Sequence, residues 1–379
     1  MDVAKTFRQA VEDDDRFAHL EPYCDDDRPF ATIASERYWS CLMKTLLALL
    51  FSLLIAPIVA AVDPVSELAG FSVFGTVDLE QLAKSDAKTA HGPPMKTARF
   101  ISVQSCYVAP GSPSRQLEAL RQFNPTQHRE LKVFLHVDLP GSPSAGNFSK
   151  LSSAPDNGPV RTLVVATQKQ SADLQLSRDE AKKNSTASAK GSGAMPASVA
   201  AFWGDVSSAR AKSFASGGVS TQPPYDRGGN AIRAGDEFIG LLREQEKIRK
   251  QFGGLIDNTG IGHSSGSLKP ELYWELLEAE DQGVLTLGAF YNQSGNAGVR
   301  AADALYYASG GYYVSLTLYQ MWPVNVGGKE STLVWRGDMT SAASLADLHG
   351  VEKLASESAM MKEISKSISL FRRDSSGAH

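Results

Sequence analysis

Near its C-terminal end the chain carries five alternating apolar runs, at 272–279, 284–291, 302–307, 312–321 and 331–336. The stretches between them are short: Glu280-Asp281-Gln282-Gly283, Ser294-Gly295-Asn296-Ala297-Gly298, Ser309-Gly310-Gly311 and Gly327-Gly328. A parallel neighbour needs a crossover of roughly a dozen residues or more, so strands joined this tightly pair antiparallel. The region is predicted to be a β-meander of about five strands. In the fourth run Val314, Leu316 and Leu318 fall on one side, and Tyr313, Ser315, Thr317 and Tyr319 on the other. Residues 354–371 then repeat Leu354, Met361, Ile364, Ile368 and Phe371 at helical spacing. A single apolar stripe of that kind suits packing across an antiparallel sheet. The expected fold class is therefore α+β, with helices on one face of the meander and the long C-terminal helix among them.

Upstream the pattern is mixed. Residues 71–77 read as a short β-like run and 78–82 as a helical turn, while 97–108 and 131–137 read as strands. Between those two strands Ser114 is placed to cap a helix carrying Leu117 and Leu120, stopped by Asn124-Pro125. Residues 140–158 have loop composition, and Pro159 opens a helix capped by Asp156 or Asn157. A flexible linker is expected at 184–195, a helix at 196–215 and a loop at 217–234. The most regular helical pattern spans 236–252, with Phe238, Leu241, Leu242, Ile248 and Phe252 opposite a charged face, and ends at Gly253-Gly254.

The N-terminal region sets the expected compartment. Met43-Lys44-Thr45, the uncharged run 46–59 and Ala60-Ala61 have the three parts of a secretory signal peptide, with cleavage sites after Ala60 or Ala61. Residues 1–42 hold ten acidic and five basic residues, including Asp13-Asp14-Asp15 and Asp25-Asp26-Asp27. They read as a disordered acidic leader, or as sequence upstream of a true start at Met43. The reading divides the chain into 1–42, a signal at 43–61 and an exported α+β domain at 62–379. The alternative is a single-pass anchor with a cytosolic N-terminus, since Arg37 and Lys44 precede the apolar run while Asp63 and Glu67 follow it. The net charge of −4 for the whole chain arises from the leader, and the part beyond residue 61 is close to neutral. Neutrality argues against nucleic-acid partners and against a polybasic membrane patch, which leaves 43–61 as the expected membrane contact. Only Cys106 of the three cysteines lies beyond the signal, so no internal disulfide is expected there. Its apolar run marks it as a buried small hydrophobe.

Several motifs bear on chemistry. Gly262-His263-Ser264-Ser265-Gly266 fits the G-x-S-x-G pattern of serine hydrolases, and Ser264, Asp338 and His349 follow the required chain order. The context is poor, because 256–261 does not read as a buried strand and Pro270 interrupts the helix that should follow. A glycine loop is the leading reading and a hydrolase the alternative. His136 and Asp138 flank Val137, so on a strand they share a face and form a potential acid–base pair. His91, His128, His136, His263 and His349 have no metal-ligand spacing, and neither a metal nor a cofactor is expected. Arg336-Gly337-Asp338 reads as a strand end, and Asn147, Asn184 and Asn292 are formal glycosylation acceptors. Eleven aromatic residues lie between Tyr273 and Trp335, and aromatic strands can wall a pocket.

The functional expectation is an exported, non-enzymatic binding or envelope-associated protein. It would hold an apolar small molecule or an envelope component against the aromatic sheet, with Tyr313, Tyr319 and Trp322 as candidate ligand contacts.

Overall fold

The computed structural model describes residues 63–184, 195–227, 230–262 and 266–377. The first half of this span holds α1 (Pro64–Phe71), α2 (Leu79–Lys84), β1 (Lys88–His91), β2 (Phe100–Pro110), α3 (Pro113–Gln122) and β3 (Val133–Leu139). Next come α4 (Gly158–Gln168), α5 (Arg178–Lys183), α6 (Ala197–Gly217), the small hairpin β4 (Tyr225–Arg227) and β5 (Asn230–Ile232), α7 (Ala234–Glu244) and α8 (Glu246–Ile256). The meander follows as β6 (Glu271–Ala279), β7 (Gln282–Gly295), β8 (Gly298–Ala308), β9 (Tyr312–Val326) and β10 (Lys329–Ala342), and α9 (Val351–Gly377) closes the chain.

The fold is α+β. Eight strands form one sheet in the order β1-β2-β10-β9-β8-β7-β6-β3, with every neighbouring pair antiparallel. All five predicted meander strands are present, and each is longer than its apolar core suggested. β10 continues through Arg336-Gly337-Asp338 to Ala342, so that tripeptide lies within a strand rather than at its end. β2 and β3, the strands flanking α3, do not pair with each other. They lie near opposite ends of the sheet, β2 against β1 and β10, and β3 against β6.

Both faces of the sheet are covered. Trp274, Tyr306, Leu316 and Trp335 on the first face pack in one core with Leu68 of α1, Leu163 of α4, Trp203 and Phe214 of α6, Phe238 of α7 and Phe252 of α8. Phe214 stacks on Tyr306 with ring centres 3.8 Å apart. The second face carries Val103, Tyr107, Val299, Tyr319 and Val334, and it packs under Ile364 and Ile368 of α9 with Leu117 and Leu120 of α3. The C-terminal helix thus packs against the sheet as expected, and with α3 it takes the side opposite the other helices.

Several upstream segments differ from their sequence pattern, among them 217–234, where the expected loop carries the β4–β5 hairpin. The 71–77 run begins at Phe71, the last residue of α1, and is not a strand. Residues 140–158 contain a 3₁₀ segment, Ala145–Ser153, whose Phe148 and Leu151 are buried. The 236–252 helix is two helices broken at Gln245 (φ −115°, ψ 61°). The Gln245 side chain donates to the Pro93 carbonyl (3.0 Å), and the Glu244 carboxylate accepts the Thr97 backbone N–H (3.2 Å). These bonds to a distant loop replace continuation of the helix, and a hydrophobic period does not register them. α8 then runs through Gly253-Gly254 to Ile256. Part of the predicted linker, 185–194, lies outside the described residues, as do the leader and signal segments. Among the described residues no helix is long and apolar enough to cross a membrane.

Candidate functional site

The strands of the second face bring polar side chains into register beneath the helices. Strand pairing sets Glu271, Phe290, Asp303, Thr317 and Asp338 in one row across β6, β7, β8, β9 and β10. Beside it His136 is opposite Glu275, and Asp138 opposite Tyr273, across β3 and β6. α3, its following loop and α9 do not close down completely over these rows. They leave a cavity of about 230 Å³, floored by the sheet and roofed by Leu120, Phe123, Ile368 and Phe371. The roof is tied on both sides. His128 Nε2 lies 2.7 Å from Asp374 Oδ2, and Phe123 meets Phe371 edge-on at 5.8 Å. Arg372 donates to the Ser85 carbonyl (2.7 Å).

At the centre of the floor the Tyr273 hydroxyl donates to Asp303 Oδ1 (2.7 Å). Burial pushes the Asp303 carboxyl up to about 6, against the opposing pull of the Tyr273 hydrogen bond; Glu275 raises it further. Burial and the neighbouring Asp303 and Glu275 charges also raise Tyr273 well above the usual phenol range, so it stays a donor. On one flank His136 Nδ1 is 2.9 Å from Glu275 Oε1, while Nε2 is 3.7 Å from Asp138 Oδ1. Burial disfavours the charged imidazole, but the Glu275 hydrogen bond and charge outweigh it and raise the pKa. On the other flank Arg336 Nε and Nη2 hold Asp338 with bonds of 2.8–3.0 Å, and the Thr317 hydroxyl donates to Asp338 Oδ1 (2.9 Å). The guanidinium lies 5.6 Å from the Tyr319 ring centre. At the mouth Arg121 donates to Glu271 (2.9 Å).

Of the predicted ligand contacts, Tyr319 lines this cavity, whereas Tyr313 and Trp322 belong to the core on the opposite face. Trp322 donates to Glu67 (2.9 Å) there. Tyr313 departs from simple alternation because the β9–β10 pairing shifts at that point: Ser341 faces Val314 but Ala342 faces Tyr312, so Tyr313 is bulged toward the helices. The His136–Asp138 pair does share a face, though Glu275 is the nearer partner. Cys106 is fully buried, and burial pushes its thiol up to about 12. Asn184 is also buried, its amide bonded to the Thr167 carbonyl.

For the hydrolase alternative, Ser264 lies outside the described residues. Asp338 is occupied by Arg336 and Thr317, and His349 is exposed ahead of α9. No hydrogen bond joins Asp338 to His349 among the described residues. Nor, among those residues, are three His, Cys, Asp or Glu side chains grouped to hold a metal ion.

The sequence pattern passed over Glu275 and Asp303, counted Tyr273 only among the aromatic residues of the meander, and read Arg336 only as part of a strand end. One signal was present: Asp303 stands between Ala302 and Ala304 in an otherwise apolar stretch, where an unpaired acid is costly. No protein-family model matches the chain, and no curated protein and no solved structure matches it either.

Proposed function

We propose that this is an exported, non-enzymatic binding protein that holds a small ligand between the second face of its sheet and helices α3 and α9. The observation that carries the reading is the cavity of about 230 Å³ with Asp303 and Tyr273 on its floor and aromatic rings around it. Concave sites with aromatic walls and a few convergent polar groups are the usual form of small-molecule sites. Its volume is below the range of about 300–1,000 Å³ typical for drug-sized ligands, which favours a compact occupant. The mixed lining favours a molecule with a polar group as well as an apolar body, in place of a wholly apolar one. Export is supported by the charged, apolar and small-residue parts of 43–61.

Native mass spectrometry of the protein recovered from an exporting host tests both parts. The expected spectrum has a mature N-terminus after Ala60 or Ala61, or an intact 43–61 anchor in the membrane fraction, together with a retained small molecule. Ser367 on α9 lines the cavity, and Ser367→Trp is expected to fill it and abolish that adduct. An adduct that persists in a folded Ser367→Trp protein places the ligand elsewhere and defeats the reading.

A further inference from the structure

We propose that the cavity on the second face of the sheet is a site for a small organic cation, an alkylammonium or quaternary ammonium, whose charge is met by Asp303 and whose body lies against aromatic rings. The inference rests on the binding role proposed above and names the ligand class.

The charges around the cavity each have an oppositely charged side chain in contact, except one; Asp138, at the solvent-exposed edge, lies 3.7 Å from His136, which it shares with Glu275. Arg336 is held by Asp338, Arg121 by Glu271 and Glu118, and His136 by Glu275. Asp303 has no cationic side chain in ion-pair contact among the described residues; its hydrogen-bond partner is the neutral Tyr273 phenol. A carboxylate held in that state beneath two helices is costly until a positive charge arrives. An anionic ligand meets the opposite situation. Each cation at the cavity already has its carboxylate, so none is free to receive a second anion.

The walls point the same way. Phe290 on the sheet, with Phe123 and Phe371 on the roof, lines the space with rings, while Tyr319 and Tyr107 already lie against the Arg336 and Arg372 guanidiniums at 5.6 and 5.9 Å. Aromatic faces carry negative potential and attract cations, most strongly where water is excluded. Phe290 is the direct cross-strand neighbour of Asp303, so the carboxylate and a ring surface converge on one spot. A metal ion fits poorly, because no group of three suitable ligands is assembled among the described residues. An organic cation needs only one carboxylate and a ring surface.

The test uses matched probes on the full chain by isothermal titration calorimetry. Choline is compared with its neutral isostere 3,3-dimethylbutan-1-ol, and butylammonium with butan-1-ol and butyrate. The expected result is tighter binding of both cations than of their neutral and anionic partners. Asp303→Asn is expected to weaken the cations on the order of 30-fold or more, the effect of removing one member of a buried charge pair. The matched cation, alcohol and carboxylate probes on the native chain keep the proposal open to test should Asp303→Asn fail to fold. Equal or tighter binding of the alcohols or butyrate, abolished by Ser367→Trp, overturns the cation class while leaving the cavity reading in place. Cation binding that survives Ser367→Trp overturns both, and the absence of binding by either cation overturns the inference.

Discussion

The Tyr273 ring reaches Asp303 by crossing the intervening strand directly over Gly288, where an added Cβ would come within 2.1 Å of the ring. The missing side chain on β7 is what allows a residue on β6 to bond one on β8. Gly288→Ala is expected to force the ring aside, break the bond to Asp303 and destabilise the fold by about 1–3 kcal/mol, as overpacking does. The cost should shrink in a Tyr273→Ala background, where no ring is left to displace; equal costs in both backgrounds would remove the explanation. A second residue-scale prediction concerns Arg210, 1 % exposed, which donates to Glu180 (2.6 Å) and to the Pro223 carbonyl and lies 4.3 Å from the Tyr307 ring centre. Arg210→Met strands the Glu180 carboxylate in the interior and should cost about 3–5 kcal/mol in urea unfolding. Glu180→Gln added to it should recover part of the loss. Neither constellation was legible in the sequence. Alternation along a strand tells which face Tyr319 joins, but it does not reveal the bulge that turns Tyr313 away, nor which residue two strands off Tyr273 will touch.

At the scale of elements, the meander was readable because its connections are short and its period is two, both of which are local properties. The helix break at Gln245 and the burial of Phe148 were not, because they depend on a loop at 93–97 and on contact with Trp274, far away in sequence. Turn chemistry gives an independent check on the hairpins. β9 and β10 are joined through Gly327 and Gly328 at φ of 57° and 78°, which suits a two-residue turn with both residues left-handed. β6 and β7 use the same geometry with Glu280 and Asp281, at φ of 50° and 59°, where side chains are disfavoured. Glu280 gains a hydrogen bond from Ser344 (2.8 Å), so the relievable strain is at Asp281. Asp281→Gly is expected to raise stability by about 0.5–1 kcal/mol, read as a higher urea midpoint at unchanged slope. A lower midpoint would mean that the turn is not under strain.

For the whole molecule, covering both faces of one sheet places a cluster of titratable groups beneath the helices of the second face, and this ties stability to pH. Asp303, at about 6 when folded against 3.8 as its ordinary value, holds its proton more tightly in the native state. A raised carboxyl contributes stability that is fully present below about pH 4 and is lost as pH rises through about 6. His136 acts in the same direction, because its folded pKa is also raised, and its contribution drains as pH climbs past its ordinary 6.5. The groups around this pair that set the balance are Tyr273 and Glu275 on β6, Asp138 on β3, and Arg336 with Asp338 on β10. The native protein should therefore lose stability between pH 4.5 and 7, and Asp303→Asn, which cannot ionise, should lose less. The difference between variant and native protein is expected to shift in favour of the variant by about 2 kcal/mol across that window. Urea unfolding at pH 4.5, 5.5, 6.5 and 7.5 measures it. A bound ammonium competes with the proton for the same carboxylate, so saturating choline should flatten the native profile toward that of Asp303→Asn. Parallel profiles for native protein and variant would show that Asp303 ionises alike in the folded and unfolded chain, and the carboxylate would then hold no deficit of charge for a ligand to relieve.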